Sequence, residues 1–423
     1  MKESKTRITH FDEGFHYLGY LFCRSVILET SKQDPDDPFR WELLDESRIP
    51  PNSWPARCRI SGKPLSEFIQ QTRFKRFKEL FDRPATLPDI PGLKPVYLGN
   101  YQQKLRIKHQ SLRIEDTQQR LAVARYPIHS VQSLVLLGSI PVSMPTLYRL
   151  LRRQIPVFLC NRLGEPLGFI QPQAFIQPEL WVKQQQHFTQ PEFALQFSQE
   201  IVKAKIHNYL QCIRFEESPE IQDICHQLLQ LQHSCENKTT LNGLRGVEGR
   251  AAALFYQAFQ MAIGDDWCFT GRYRRPPTDP VNALLSLGYT ILYHHLTLII
   301  LQSGLNPWQG IYHQSRKNYC ALSSDIQEEF RFLIDRLILT LIRRKQLKPS
   351  AFPAREKSGG YYVLPRNQKA DFIQKVEAKF LERIRLRQPE GEFSYREVMV
   401  RQVHQLKQIV LGERLEYQAF RRR

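Results

Sequence analysis

The chain of 423 residues carries 60 Lys+Arg against 42 Asp+Glu, which gives a formal net charge of +18. This length suffices for two or three domains that each bury a core. The positive excess favours a polyanionic partner, most simply a nucleic acid, over a merely soluble basic protein. The apolar run 282–301 contains Tyr293, His294 and His295, which indicates a buried helix and argues against a membrane span.

Cysteine usage and the first residues indicate the compartment. The eight cysteines are scattered and form no C-x-x-C pair, whereas a zinc site needs closer ligand spacing. Reduced core thiols in a cytoplasmic protein are the simplest interpretation. Residues 1–7 are mostly polar and charged, so no secretory signal is predicted.

The first 92 residues divide into an aromatic segment and a proline-rich one. Residues 1–23 predict a β-hairpin fragment that is too short to fold alone. Residues 24–92 are punctuated by prolines from Pro35 to Pro91, which is typical of a linker.

The rest of the chain predicts an α+β protein. Residues 93–180 show short alternating runs separated by turns, with one helix that has Pro145 in its first turn, so we expect a β-rich domain. Residues 181–423 predict an all-α domain. Asp279 and Pro280 begin its longest helix as N-cap and first-turn proline, and residues 325–345 predict another helix.

A carboxylate stands in the middle of an apolar helical stripe. The stripe consists of Leu241, Leu244, Glu248, Ala251, Ala252, Phe255 and Phe259. Burying Glu248 is costly unless a cation or hydrogen-bond donors meet it. It is either a metal ligand or a partner of Arg245 or Arg250 at the edge of a core.

Further polar side chains follow in the second half of the domain. His313 ends a GIYH run, and Asp325, Glu328 and Glu329 stand at a predicted helix start. Together with Glu248 they form an oxygen-rich set suited to Mg²⁺ or Mn²⁺. His313 could instead be a satisfied turn histidine and Asp325 an N-cap. Helical periodicity does not choose among the three carboxylates.

Basic residues near these positions are candidates for contacts with DNA phosphates. Guanidinium and ammonium groups would position DNA without reading its sequence, and solvated basic surface is the alternative. The candidates are Arg245, Arg272, Arg274, Arg275, Lys203 and Lys205.

Several separated blocks, in order, give the chain from residue 95 to 420 a resemblance to a known family. They are the β-domain segments 128–138 and 155–168, IVKAKIHN (201–208), GVEGR (246–250), RRPPTDPVNALL (274–285), GLNP with GIYH (304–313) and DIQEEFR (325–331). The chain resembles the CRISPR-associated integrase of spacer acquisition, the Cas-one family. Residues 1–23 also resemble the segment that closes the palm of group II intron-type reverse transcriptases, as a short remnant.

The resemblance implies a β-rich dimerisation domain followed by an α-helical catalytic domain. It implies a homodimer that forms a heterohexamer with the small Cas-two protein, encoded with or fused to a reverse transcriptase. The implied activity is Mg²⁺- or Mn²⁺-dependent cleavage and strand transfer of double-stranded DNA. Carried over by position, the catalytic metal ligands are Glu248, His313 and Glu328, with Asp325 as an accessory one.

Two other functional classes stay open at this point. One is a non-catalytic basic DNA-binding scaffold, in which the acidic residues have no chemical role. The other is a structure-selective DNA repair nuclease, which would use the same ligands. Strand transfer into a repeat-bearing plasmid separates the second from an integrase.

Overall fold

The computed structural model describes the backbone of four strands within residues 15–43 and most of the chain from residue 94 onward. Beyond residue 93 the described ranges are 94–99, 103–108, 110–116, 122–161, 166–214, 218–273, 277, 279–317, 319–352, 362, 364–387 and 390–422. The chain divides into two compact units, Met1–Ala85 and Thr86–Arg423.

The first unit contains an antiparallel sheet whose strand order follows the chain. Its strands are β1 (Phe15–Tyr17), β2 (Tyr20–Cys23), β3 (Val26–Thr30) and β4 (Phe39–Leu43). β1 and β2 form the hairpin predicted within residues 1–23. β3 and β4 correct the linker prediction for residues 24–92, because the β-branched and aromatic residues of VILET and FRWEL favour strands. The other residues of both segments lie outside the described part of the chain.

The second unit begins with the predicted β-rich domain, in which two sheets and one helix surround a small core. The elements are β5 (Lys94–Leu98), β6 (Gln103–Lys108), β7 (Ser111–Asp116), β8 (Ala122–Pro127), β9 (Val131–Leu137), α1 (Met144–Arg152), β10 (Val157–Cys160) and β11 (Pro166–Ile170). One sheet has the order β6-β7-β8, and the other has the order β11-β10-β9-β5. β9 pairs in parallel with both neighbours and is buried along its whole length, as a central parallel strand should be.

The remainder of the second unit is helical, with one exception. Its helices are α2 (Pro178–Phe188), α3 (Pro191–Ile213), α4 (Pro219–Ser234), α5 (Leu241–Ile263), α6 (Pro280–Ser303), α7 (Ala321–Gln327), α8 (Phe332–Arg343), α9 (Arg366–Leu381) and α10 (Tyr395–Val410). The antiparallel hairpin of β12 (Arg383–Arg387) and β13 (Glu390–Ser394) corrects the all-α prediction. Ile384 and Leu386 alternate with arginines and pack on the core, which is the strand period.

The buried helix predicted after Asp279 is confirmed as α6. The Asp279 carboxylate caps it by accepting a hydrogen bond from the Asn282 amide at 2.8 Å, and Gly304 ends it in the left-handed region at φ 85°. α6 is long and apolar enough to cross a membrane, but 83% of its apolar window is buried inside the fold. Its composition therefore reflects a core helix.

A buried polar cluster joins the β-rich domain to the helices. The Tyr97 hydroxyl on β5 donates to the Glu377 carboxylate on α9 at 2.7 Å, and His295 Nε2 on α6 lies 2.8 Å from the same oxygen. Arg396 at the start of α10 donates to Gln132 on β9. These contacts fix the sheet against α6, α9 and α10.

Packing between α6 and α8 predicts a steric effect at Gly288. A Cβ atom added there would lie 2.4 Å from Ile334 Cγ2, so we expect Gly288→Ala to destabilise the fold by about 1–3 kcal/mol. Gly249→Ala in α5 is the matched control, because an added Cβ there has no neighbour within 4 Å. Thermal unfolding should show a lower midpoint for Gly288→Ala alone, with a smaller loss in an Ile334→Ala background. Equal midpoints for the two glycine variants would contradict this packing.

Candidate active site

The predicted stripe on α5 is confirmed and presents Glu248 at the edge of the helical core. Leu244, Phe255 and Phe259 of the stripe are fully buried. The Thr240 hydroxyl caps the helix by accepting from the Gly243 amide at 3.1 Å. The Glu248 side chain is 18% exposed, so its carboxylate can be reached from outside while most of it is desolvated.

Lys205 on α3 bridges two glutamates. Its Nζ lies 2.5 Å from Glu248 Oε1 and 2.5 Å from Glu328 Oε2, and its side chain is 2% exposed. Burial alone would lower the pKa of Lys205, but the two carboxylates outweigh it and raise that pKa. Lys205 is therefore buried in the protein, and the prediction that it contacts DNA is wrong. The partner of Glu248 is Lys205, and not Arg245 or Arg250 as the sequence suggested.

The same ion pairs set the charge of the two glutamates. Burial acts to raise the pKa values of Glu248 and Glu328, yet the Lys205 ammonium lowers both below their ordinary range. Both carboxylates are therefore ionised at neutral pH.

Asp325 organises the loop that carries His313. Its fully buried carboxylate accepts hydrogen bonds from the amides of Ile311, Tyr312 and His313 at 2.6, 3.2 and 2.7 Å. His313 Nδ1 lies 2.8 Å from Asp325 Oδ1, which turns Nε2 toward Glu328. Burial alone would lower the pKa of His313, but the hydrogen bond and charge of Asp325 raise it.

This geometry corrects both predictions for Asp325. Four donors occupy its two oxygens, which leaves it as the support of the histidine loop rather than an accessory metal ligand. It is not an N-cap either, because α7 begins at Ala321 and Asp325 lies in the last turn of that helix.

Glu328 stands in a turn that interrupts the predicted helix 325–345. α7 ends at Gln327 and α8 begins at Phe332. Between them the Phe330 amide donates to the Gln327 carbonyl at 2.9 Å, an i to i−3 bond that tightens the chain. Glu328 Oε1 lies 4.0 Å from His313 Nε2 and accepts from Arg331 at 3.2 Å.

Three further contacts support the site. The Tyr312 hydroxyl donates to Glu248 Oε2 at 2.8 Å, and Arg245 donates to the Tyr312 carbonyl at 2.9 Å. Arg331 lies over the Tyr289 ring at 4.1 Å from its centroid. Sequence reasoning did not identify Tyr312 or Arg331, although each stands within three residues of a predicted ligand.

The neighbouring carboxylate Glu329 faces away from this site. The Tyr417 hydroxyl, the Gln402 amide and the Phe420 backbone amide donate to it. Asn208 on α3 donates to the Glu329 carbonyl at 2.9 Å. Glu329 therefore anchors the C-terminal segment, whereas Glu328 contacts Lys205 beside Glu248.

The residue types at this site suit a divalent cation, whereas their spacing in this structure is set by Lys205. Two carboxylates and an imidazole whose other nitrogen is held by a carboxylate are the usual ligands and support of such an ion. Among the residues that the structure describes, no three His, Cys, Asp or Glu side chains stand at metal-binding spacing. The Lys205 ammonium lies between Glu248 and Glu328 and holds the positive charge there.

Lys203 and Arg272, two of the basic residues predicted to contact DNA, bind to other side chains of the protein. Lys203 pairs with Glu236 at 2.6 Å. Arg272 donates to Asn282 and Ser286 at 2.9 and 3.0 Å, which ties its loop to α6. Arg274 and Arg275 lie outside the described residues. Two exposed cations that sequence reasoning did not single out, Arg316 and Lys317, lie three and four residues after His313.

The buried carboxylate of Asp325 predicts a large effect of a single substitution. Asp325→Asn would place an amide NH₂ group against backbone N–H donors, and we expect it to lower the free energy of unfolding by about 3–5 kcal/mol. The pKa of His313 should also fall, because the charge that raises it is lost. Histidine NMR titration and thermal unfolding measure both effects. Asp371→Asn, which loses only an exposed pair with Lys375, is the control. An unchanged midpoint and an unchanged His313 titration would contradict this role.

Glu329 predicts a pH dependence of stability. Burial raises its pKa from 4.5 to about 7. The folded protein therefore holds a proton that the unfolded chain releases, so this group makes stability fall as pH rises from about 4.5 to 7, by up to about 3 kcal/mol. The Glu329→Gln side chain cannot ionise, so the thermal unfolding midpoint of this variant should fall less between pH 5 and pH 8 than that of the wild type. Glu392 is exposed, and the midpoint of the control variant Glu392→Gln should change with pH as in the wild type. Parallel curves for Glu329→Gln and wild type would contradict the assignment.

Comparisons with known proteins identify the family. The family model described as "CRISPR associated protein Cas1" matches residues 96–378. The chain is 27% identical over 330 residues to the "CRISPR-associated endonuclease Cas1 3" of Thermus thermophilus, covering 78% of this chain and 97% of that protein. It is 30% identical over 377 residues to the "CRISPR-associated exonuclease Cas4/endonuclease Cas1 fusion" of Geobacter sulfurreducens, covering 86% of this chain and 66% of that protein.

Solved structures agree with this assignment. A chain of a "Cas6-RT-Cas1–Cas2 complex" is similar with a TM-score of 0.68 and 27% identity, over 78% of this chain and 36% of that one. This chain thus spans about a third of that solved chain. A Cas1 protein from Thermotoga maritima shares the fold with a TM-score of 0.64 at 23% identity, over 76% of this chain and 98% of that one. The chain belongs to the CRISPR-associated Cas1 family.

Proposed function

We propose that this protein is a metal-dependent DNA endonuclease and strand transferase that inserts spacer DNA into a CRISPR array. The observation that carries the proposal is the meeting of Glu248, His313 and Glu328 from three separate parts of the chain around one buried charge cluster. The names of the similar relatives, CRISPR-associated endonucleases, support the same chemistry.

Glu248, His313 and Glu328 would hold the cation, Mg²⁺ or Mn²⁺. The chemistry that such an ion would supply is polarisation of the scissile phosphate and stabilisation of charge on the attacking and leaving oxygens. Asp325 fixes the His313 ring with Nε2 toward Glu328, and Tyr312 fixes one oxygen of Glu248. These supports fix the orientation of the His313 ring and of one Glu248 oxygen before substrate binds.

The reaction proposed is attack of a 3′-hydroxyl on a phosphodiester, with water as the nucleophile in cleavage. One ester replaces another during transfer, so the step needs no nucleotide hydrolysis, and the sequence contains no phosphate-cradling P-loop motif.

Positive charge would position the DNA. The net charge of +18 supplies a general attraction to phosphates. Arg316 and Lys317, three and four residues after His313, are exposed. Arg316 and Lys317 are the proposed backbone contacts, and they would orient DNA without reading its sequence.

The proposed assembly is a cytoplasmic homodimer that binds a Cas2 protein in a heterohexamer, with a reverse transcriptase as a further partner. The similar solved chain belongs to a Cas6-RT-Cas1–Cas2 complex, which supports these partners. The aromatic segment 1–23 as a reverse transcriptase remnant is part of the same proposal.

Glu248→Gln tests the proposal. The substitution keeps the shape of the side chain but removes the charge that would bind the cation. Transfer of a 3′-hydroxyl DNA end into a repeat-bearing plasmid with Mn²⁺ should therefore fall on the order of 10²–10³-fold. DNA affinity by fluorescence polarisation should stay within about twofold, because it depends on phosphate contacts. Glu236→Gln, which loses an exposed partner of Lys203, is the control for both assays.

Three results would contradict the proposal in different ways. Normal transfer by Glu248→Gln removes Glu248 from the site. Metal-dependent cutting of branched DNA by the wild type, without transfer at the repeat, identifies a repair nuclease. DNA binding without any chemistry that a chelator abolishes identifies a scaffold.

A further inference from the structure

Lys205 is a buried lysine whose ammonium group forms ion pairs with two glutamates of the site. Its ammonium contacts Glu248 and Glu328, each at 2.5 Å, and lies 5.7 Å from the centroid of the Tyr209 ring. Its neighbours on α3, Ala204 and Ile206, are fully buried, so the backbone that carries it is fixed. Only the flexible side chain can relocate the charge.

The charges of the cluster balance without a metal ion. Glu248 and Glu328 contribute two negative charges, and Lys205 and Arg331 contribute two positive ones. A divalent cation at the two glutamates would add two positive charges beside Lys205. At a few ångströms and with limited solvent, repulsion between such charges amounts to several kcal/mol.

The contacts of Arg331 and Lys205 differ in kind. Arg331 donates a hydrogen bond to Glu328 Oε1, and its guanidinium group stacks over the Tyr289 ring. Lys205 instead lies between the two carboxylates and touches an oxygen of each. A cation placed between Glu248 and Glu328 would therefore compete with Lys205 for these two oxygens.

We infer that Lys205 is a resident counter-ion of this site, which holds Glu248 and Glu328 together before a divalent cation binds and competes with that cation for the same oxygens. The inference rests on the metal site of the proposed function. It adds that Lys205 lowers the affinity of that site for a divalent cation. The opposite role is that Lys205 preorganises the carboxylates and so assists the metal. The two roles predict opposite signs for the loss of its charge.

The experiment measures Mn²⁺ binding to the full chain by isothermal titration calorimetry, without DNA. Lys205→Met keeps most of the side-chain length and removes the charge, so it should bind Mn²⁺ at least about tenfold more tightly than the wild type. Lys203→Met is the control, because Lys203 lies one half-turn away on α3 and pairs with Glu236 outside the site. Its Mn²⁺ affinity should equal that of the wild type.

Thermal unfolding gives a second readout. Without metal, Lys205→Met leaves two carboxylates facing each other and should unfold at a lower temperature than the wild type. Saturating Mn²⁺ should raise the midpoint of Lys205→Met more than that of the wild type, since the ion replaces the missing charge. Lys205→Gln, which retains a hydrogen-bond donor, provides the affinity measurement if Lys205→Met does not fold.

The outcomes distinguish this inference from the proposed function. If the wild type binds Mn²⁺ and the Lys205 variants bind it equally or more weakly, the counter-ion role is overturned and the metal site stands. If no variant binds Mn²⁺ at millimolar concentration, the metal site fails, and the counter-ion role fails with it. Tighter binding by both Lys205 variants, with Lys203→Met unchanged, supports the inference.

Discussion

The bridge of Lys205 between Glu248 and Glu328 is the interaction on which the site depends. Two carboxylates removed from water repel each other, and the loss of one charged partner from a buried cluster costs several kcal/mol. Lys205 and Arg331 offset that cost from two sides. Because the four groups come from α3, α5 and the turn before α8, their pairing fixes three parts of the helical domain around one point.

The turn at residues 328–331 is held from both faces, which explains how a short irregular segment can carry a functional side chain. On one face Asp325 gathers the amides of the His313 loop. On the other face the Glu329 carboxylate accepts hydrogen bonds from Tyr417 and Phe420 of the C-terminal segment. Glu328 lies between these two buried carboxylates and has little freedom to move. Asp325, Glu328 and Glu329 thus have three distinct roles, although they occur within five residues of sequence.

The sequence predicted the parts of this arrangement that periodicity and capping encode. The stripe of α5 and the start of α6 follow from local patterns and are confirmed. The break between α7 and α8 could not be predicted, because apolar residues at Ile326, Phe330 and Leu333 continue the helical period through it. Lys205 was assigned to DNA contacts because sequence alone does not show that a lysine is buried. Only the family resemblance selected Glu328 from its neighbours.

Anomalous diffraction from crystals grown with Mn²⁺ tests the central claim most directly. The account predicts one strong peak within ligand distance of Glu248, Glu328 and His313 Nε2, with the Lys205 ammonium moved away from both carboxylates. A peak at another place, or Lys205 still bridging the two glutamates at saturating Mn²⁺, would contradict it.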